Sequence, residues 1–368
     1  MAILLTGIVY FSNALLMTKL VPYIFFSKDP FKRRFSLILT LTLPTILLAF
    51  RGTTGSDSRM YIEAYDNIIE MSSQRYNDFE AGFVFIAEKM KNLNLPSQVF
   101  FGVIGLATIL FFLLFLSNEK NDINVSLSTF IFFSDLYFLA FNMMRQALAI
   151  VMLLYAYSLF SKKKYLRYVM VVVCASLFHI SGLMGFAIVF AYLVVNNRYY
   201  KQLILGSVLI GVFLAYNRTI LGFIAGKLTN KAYALYILAN TDGGGSLIGY
   251  LARTVPPVLV STLYITKYKE NNKMITYYAM MLAGYVLTLL SLFTGNQVQR
   301  IGYNFLYINI AVLGFCAKYP AKFKIGMDIY KIERQTIAGG LYVYYTILCI
   351  YTYFIKGFNE IVPYIPKF

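Results

Sequence analysis

The chain has no tryptophan, one histidine and three cysteines in 368 residues, and only 13% of it is charged. Each scarcity removes a class of protein. A lone histidine, His179, excludes a histidine-based zinc site such as HExxH, and no metal or other cofactor is expected. Cys174, Cys316 and Cys349 are odd in number, lie in apolar runs and show no CxxC or metal-ligand spacing, so they read as small core residues. No GxxxxGK[ST] segment occurs, so the chain does not drive itself with nucleotide. Polar residues are too few to coat a soluble globule: 59% are hydrophobic and the mean hydropathy is +0.65. No cleavable signal peptide is evident, because the first apolar run lacks a basic start and others follow it.

What is present is a series of apolar windows of about 20 residues, the length that crosses about 30 Å of hydrocarbon as a helix. Runs such as VFFGVIGLATILFFLLFL from Val99 have no strand-like alternation, so the fold class is all-α and polytopic. Twelve spans fit, at approximately 3–21, 35–50, 97–117, 125–141, 142–160, 168–179, 181–195, 203–217, 247–267, 275–293, 301–317 and 336–355. They form one transmembrane domain over 1–368, with 51–98 as its large loop. With 32 tyrosines and no tryptophan, the interfacial aromatic belt is built from tyrosine.

Lysine and arginine fix the orientation. Placing Lys28, Arg33 and Arg34, then Lys162 to Lys164, then Lys267 and Lys273, then Lys318 to Arg334 in the cytoplasm makes every alternate loop consistent. Both termini and the 51–98 loop then lie outside a bacterial cytoplasmic (inner) membrane. Residues 168–195 are expected to form two helices turning at FHISG, which keeps the flanking basic loops inside and His179 near the outer surface. The net charge of +17 is thereby explained by topology and anionic lipid, with no nucleic-acid partner implied. In this arrangement the inner side carries fourteen Lys and five Arg and the outer side seven Arg and six Lys. Arginine is over-used outside, and its planar fork suits pyrophosphate.

The segment RGTTGSDSRMYIEAY, Arg51 to Tyr65, sets arginines, a carboxylate and tyrosines directly against the end of an uncharged run. Farther along the loop, Phe79, Phe83, Ile86, Met90 and Leu93 recur at helical spacing, so an amphipathic helix is expected there, on the membrane surface or over a cavity. Pro256-Pro257 should interrupt the span carrying Arg253. TDGGGS at Thr241 reads as a flexible connector.

Five short motifs, in order, resemble the EpsG-type and Wzy-type polymerases of bacterial surface polysaccharide, including O-antigen polymerases. They are Arg51, Gly52, Gly55, Asp57, Tyr61 and Tyr65 after the second span; Glu80, Gly82 and Phe83; Arg145 and Gln146 opening a span; Phe178, His179 and Ser181; and Arg300, Gly302 and Tyr303. The resemblance implies a glycosyltransferase at the outer face, moving a growing glycan from undecaprenyl diphosphate onto a new lipid-linked repeat unit. Its partners would be those repeat units, the bilayer, a flippase and a chain-length regulator.

Such a reaction needs a cationic cradle, a base or orienting acceptor, and a lipid groove. The candidate cradle is Arg51, Arg145, Arg253 and Arg300, which the topology brings to the outer ends of four spans. The candidate bases are Asp57 and Glu80, with His179 assisting. Asp57 alternatively caps the helix beginning near Ser58, and His179 is alternatively a turn residue. Asp135, inside an apolar run, either contacts substrate or pairs with an arginine. Tyr61 and Tyr303 are candidate sugar contacts. Two other readings compete: a flippase for the lipid-linked repeat, which has no need of so polar a loop, and a membrane O-acyltransferase, whose donor chemistry would sit on the lysine-rich side.

Overall fold

The computed structural model describes residues 1–69, 79–197, 247–265, 270–294, 296–325 and 328–367, with 202, 267 and 268. The expected span at 203–217 and the TDGGGS run lie outside the described residues. The chain packs as two compact units, one of Met1–Gly185 with Gly314–Phe368 and one of Phe186–Leu313.

In the first unit, α1 (Ala2–Phe26) is followed by α2 (Pro30–Ala49). Asp29 starts α2 by accepting from the N–H groups of Phe31 and Lys32 at 2.9 and 3.4 Å, with Pro30 in the first turn. The helix ends at Ala49, so Arg51 does stand just past its apolar run. Two short helices of the large loop come next, α3 (Ser58–Asp66) and α4 (Ala81–Asn92). The buried face of α4 is Phe83, Val84 and Ala87, whereas Leu93 is 71% exposed. The expected stripe is thus displaced, because the helix begins at Ala81 and its C-cap is Leu93, leaving both ends of the stripe outside it.

The core of this unit is α5 (Ser97–Glu119), α6 (Val125–Asn142) and α7 (Met144–Ser161). The α6 window is 94% buried against 28% for Ala2–Phe26, so α6 is the central helix and α1 offers residues such as Leu4 and Ile8 to lipid. A π turn over Phe132–Leu136 widens α6 where Asp135 sits. After α8 (Tyr165–Ser176) the helix stops, and helical structure resumes at Ile180, so 168–195 is not one continuous helix.

The second unit contains α9 (Ala187–Val195), α10 (Leu247–Ile265), α11 (Asn272–Thr294), α12 (Asn296–Leu306) and the start of α13 (Asn309–Cys316). Contrary to expectation, α10 runs through Pro256 and Pro257. The prolines remove two ladder donors without ending the helix. Gly284 lets α12 pack hard on α11: a Cβ there would strike the Leu306 backbone.

The all-α expectation holds, with one short hairpin added to it. Ala321–Ile325 and Asp328–Ile332 form an antiparallel hairpin with Phe323 opposite Tyr330. Then α14 (Arg334–Cys349) continues as a π turn to Ile355, and a tail follows. Of the cysteines, Cys316 and Cys349 are buried, but Cys174 is exposed on α8 and is not a core residue.

Seven helices among the described residues are long and apolar enough to cross a membrane, fewer than the twelve spans expected. Tyr165–Ser176 and Ile180–Val195 are apolar but shorter, and the 20 residues of α2 carry Lys32, Arg33 and Arg34 at one end. The protein is a multi-pass, predominantly helical membrane protein.

Candidate functional site

Arg51 is 1% exposed, an expensive place for a permanent charge. Its Nη1 donates to the Ala140 carbonyl at 2.6 Å and its Nη2 to the Met144 sulfur at 3.1 Å, while the guanidinium lies 4.4 Å from the centroid of the Phe101 ring. Ala140 is in the last turn of α6, where carbonyls lack helical partners and the dipole is negative. A cation is therefore matched to that end of α6. Burial lowers the Arg51 pKa to about 10, partly opposed by Tyr61 and Asp57, so it stays charged at neutral pH.

The two motif glycines exist because other backbone comes close. At Gly52, φ is +53° and a Cβ would strike the Ile365 carbonyl; at Gly55, φ is +97° and a Cβ would strike the Phe141 carbonyl. The intruder at Gly52 is the C-terminal tail. Lys367 N–H donates to the Phe50 carbonyl at 3.1 Å, Ile365 N–H to Thr54 Oγ1 at 2.7 Å, Gly55 N–H to the Glu360 carbonyl at 3.1 Å and Ser56 N–H to the Asn359 carbonyl at 3.1 Å. Nothing in the sequence reading had assigned the tail to this loop. Its Gly357, Asn359 and Pro363 were turn signals that could have drawn notice.

Asp57 follows this clasp. It occupies the residue before α3, yet its side chain makes no capping hydrogen bond. Its N–H instead donates to Asn142 Oδ1 at 2.7 Å, beside Ser56 Oγ at 3.0 Å. The capping alternative is thereby removed: the backbone holds the loop, and the half-buried carboxylate is left for other use.

A second cluster joins three motifs far apart in sequence. Arg145, at the positive N-terminal end of α7, forms an ion pair with Glu80. The second Glu80 oxygen accepts from the Ile180 N–H at 2.9 Å, and Gly82 N–H donates to the Leu177 carbonyl at 2.8 Å. The Arg145 guanidinium also lies 4.6, 5.6 and 5.8 Å from the rings of Phe79, Phe83 and Tyr61. Glu80 thus ties the large loop both to α7 and to the turn at His179. His179 Nδ1 accepts from the Ser181 N–H at 3.2 Å and lies 2.7 Å from Ser181 Oγ.

Other candidates are placed differently. Asp135 accepts from the Tyr353 hydroxyl at 3.1 Å, seven residues and about 10 Å down α6 from Asn142. Tyr61 is 3% exposed within the aromatic cluster. Tyr65 stacks on Phe100 and donates to the Leu95 carbonyl at 2.6 Å. In the second unit, Arg253 Nη2 donates to the Tyr307 hydroxyl at 3.3 Å, and Arg300 is half-buried on α12. Tyr303, one turn on, is 1% exposed. Among the described residues no three His, Cys, Asp or Glu side chains gather to hold a metal.

The sequence model of the EpsG family matches residues 34–365, nearly the whole chain. Searches of curated proteins and of solved structures return no match.

Proposed function

From the premise that the chain belongs to the EpsG family, we propose that it is a surface-polysaccharide polymerase of the bacterial cytoplasmic membrane, working on lipid-linked repeats at the outer face. The hydroxyl of an acceptor sugar on one repeat attacks the anomeric carbon of a glycan carried on undecaprenyl diphosphate. The bond from that carbon to the diphosphate oxygen breaks, and its electron pair leaves with undecaprenyl diphosphate. The hydroxyl proton goes to the Asp57 carboxylate.

The observation that carries the residue assignment is the half-buried Asp57 carboxylate, which caps nothing and lies close enough to the buried Arg51 charge to act on it. A half-buried carboxylate that caps nothing can orient the acceptor hydroxyl and take its proton. Arg51 itself is committed to Ala140 and Met144, so its part in this reading is the field it sets and the loop it anchors. Glu80, locked between Arg145 and Ile180, positions the loop against the His179 turn. His179, in the turn that Glu80 contacts, is a candidate phosphate contact.

The test is incubation of purified protein with a synthetic undecaprenyl-diphosphate-linked repeat and no nucleotide. A ladder of products with release of undecaprenyl diphosphate is expected. Transbilayer movement of the repeat with no ladder would overturn this reading in favour of a flippase.

A further inference from the structure

We infer that Asn142 and Asn359 are positioning residues for Asp57, and that the C-terminal tail is part of the reaction site. This rests on the polymerase reading above and deepens it. The helical path from α6 to α7 breaks at Met143, with φ −93° and ψ 56°, and the break presents Asn142 at the Arg51 loop. Asn142 is 3% exposed. Its Oδ1 accepts from the Asp57 N–H at 2.7 Å and from Ser56 Oγ at 3.0 Å, and its Nδ2 donates to Asn359 Oδ1 at 3.1 Å. One side-chain amide therefore joins the residue proposed as base to the tail, across 217 residues of sequence.

The tail is held as firmly as a strand at an edge. Besides its bonds to Phe50, Thr54, Gly55 and Ser56, Tyr364 N–H donates to Thr6 Oγ1 at 2.8 Å, its hydroxyl donates to the Leu47 carbonyl at 3.1 Å, and the Tyr10 hydroxyl donates to the Ile361 carbonyl at 2.9 Å. A tail with only a structural role would need its backbone bonds alone. The amide bridge adds a link that ends on the Asp57 backbone, and a displacement of about 1 Å at a reacting group is enough to cost about 100-fold in rate.

The bridge has one further property that makes it testable. Among the described residues, Asn359 Nδ2 is buried with no hydrogen-bond partner, so the tail holds an unused donor beside Asn142. An aspartate at position 142 keeps an acceptor for Asp57 N–H and Ser56. Rotation of the Asn359 amide then offers it Nδ2, so the bridge survives with a negative charge added near Asp57.

The experiment compares full-length Asn142→Ala, Asn142→Asp and Asn359→Ala with the unmodified protein in the same lipid-linked-repeat assay, with unfolding midpoints measured on each sample. Asn142→Ala should lower kcat about 100-fold with KM within about twofold. Asn142→Asp, which keeps the acceptor for Asp57 N–H and Ser56, should recover most of that kcat. Asn359→Ala, which leaves the Asn142 bonds to Ser56 and Asp57 intact, should lower kcat by about tenfold or less. If the unmodified protein makes a ladder but Asn142→Ala keeps its kcat, or loses it only in proportion to folded protein, the positioning role is wrong and the polymerase reading stands. A kcat in Asn142→Asp as low as that of Asn142→Ala also overturns it. If the unmodified protein makes no ladder, the polymerase reading fails, and the inference falls with it.

Discussion

Buried Arg51 and half-buried Arg145 lie at opposite sides of one helix break, and they are stabilised in different ways. Arg145 sits at the start of α7, where the dipole is already positive, and Glu80 neutralises it. Arg51 faces the end of α6, where a carbonyl, a sulfur and the Phe101 ring suffice, and among the described residues it forms no hydrogen bond to a carboxylate. The difference is one of contact: Arg145 is paired directly with Glu80, whereas Asp57 acts on Arg51 without a hydrogen bond between them. The first is suited to holding the large loop in place, the second to chemistry on a charged leaving group.

Breaking the pair of Arg145 and Glu80 should have the largest effect on stability. Glu80→Ala leaves the Arg145 charge and the Ile180 N–H without their acceptor, and should cost about 3 kcal/mol, the lower end for a buried pair because both side chains keep some exposure. Denaturant unfolding in detergent measures this. The double variant Glu80→Ala/Arg145→Met should be less destabilised than the sum of its single variants, since the unpaired charge is gone. Additivity would show that the two residues do not act as a pair. Arg51→Met should cost less, about 1–3 kcal/mol, because it strands one carbonyl and no charge. Its polymer yield should nevertheless fall more than that of a surface variant of equal stability, because the field at Asp57 is lost with it.

The parts of this arrangement that were legible in the sequence are those set by local chemistry. Hydropathy placed the start of the large loop at Arg51 because an apolar run must end where charge begins, and α2 does end at Ala49. Motif order brought Glu80, Arg145 and His179 forward together. What spacing could not show was which partner each would take: Glu80 and Arg145 are 65 residues apart, and their pairing depends on tertiary approach. Asp57 was left between base and cap because both need the same position. Only the missing capping bond separates them. The tail was overlooked because a dozen residues after the last apolar run carry no periodicity, although Gly52 and Gly55 each required close backbone neighbours. The hairpin at 321–332 was written in the alternation of AKFKI and DIYKI, and was passed over as a basic connector.

The smallest expected change in stability belongs to the most consequential residue. Asp57→Asn preserves the backbone N–H that binds Asn142 and removes no cap, so its unfolding free energy should stay within about 0.5 kcal/mol of the unmodified protein. Its turnover in the lipid-linked-repeat assay should fall by about 100-fold or more, the contribution of a positioned general base. A variant that folds normally and no longer extends the glycan is the outcome this account predicts. Asp57→Asn extending it at the unmodified rate would contradict the claim that the Arg51 loop carries the reaction.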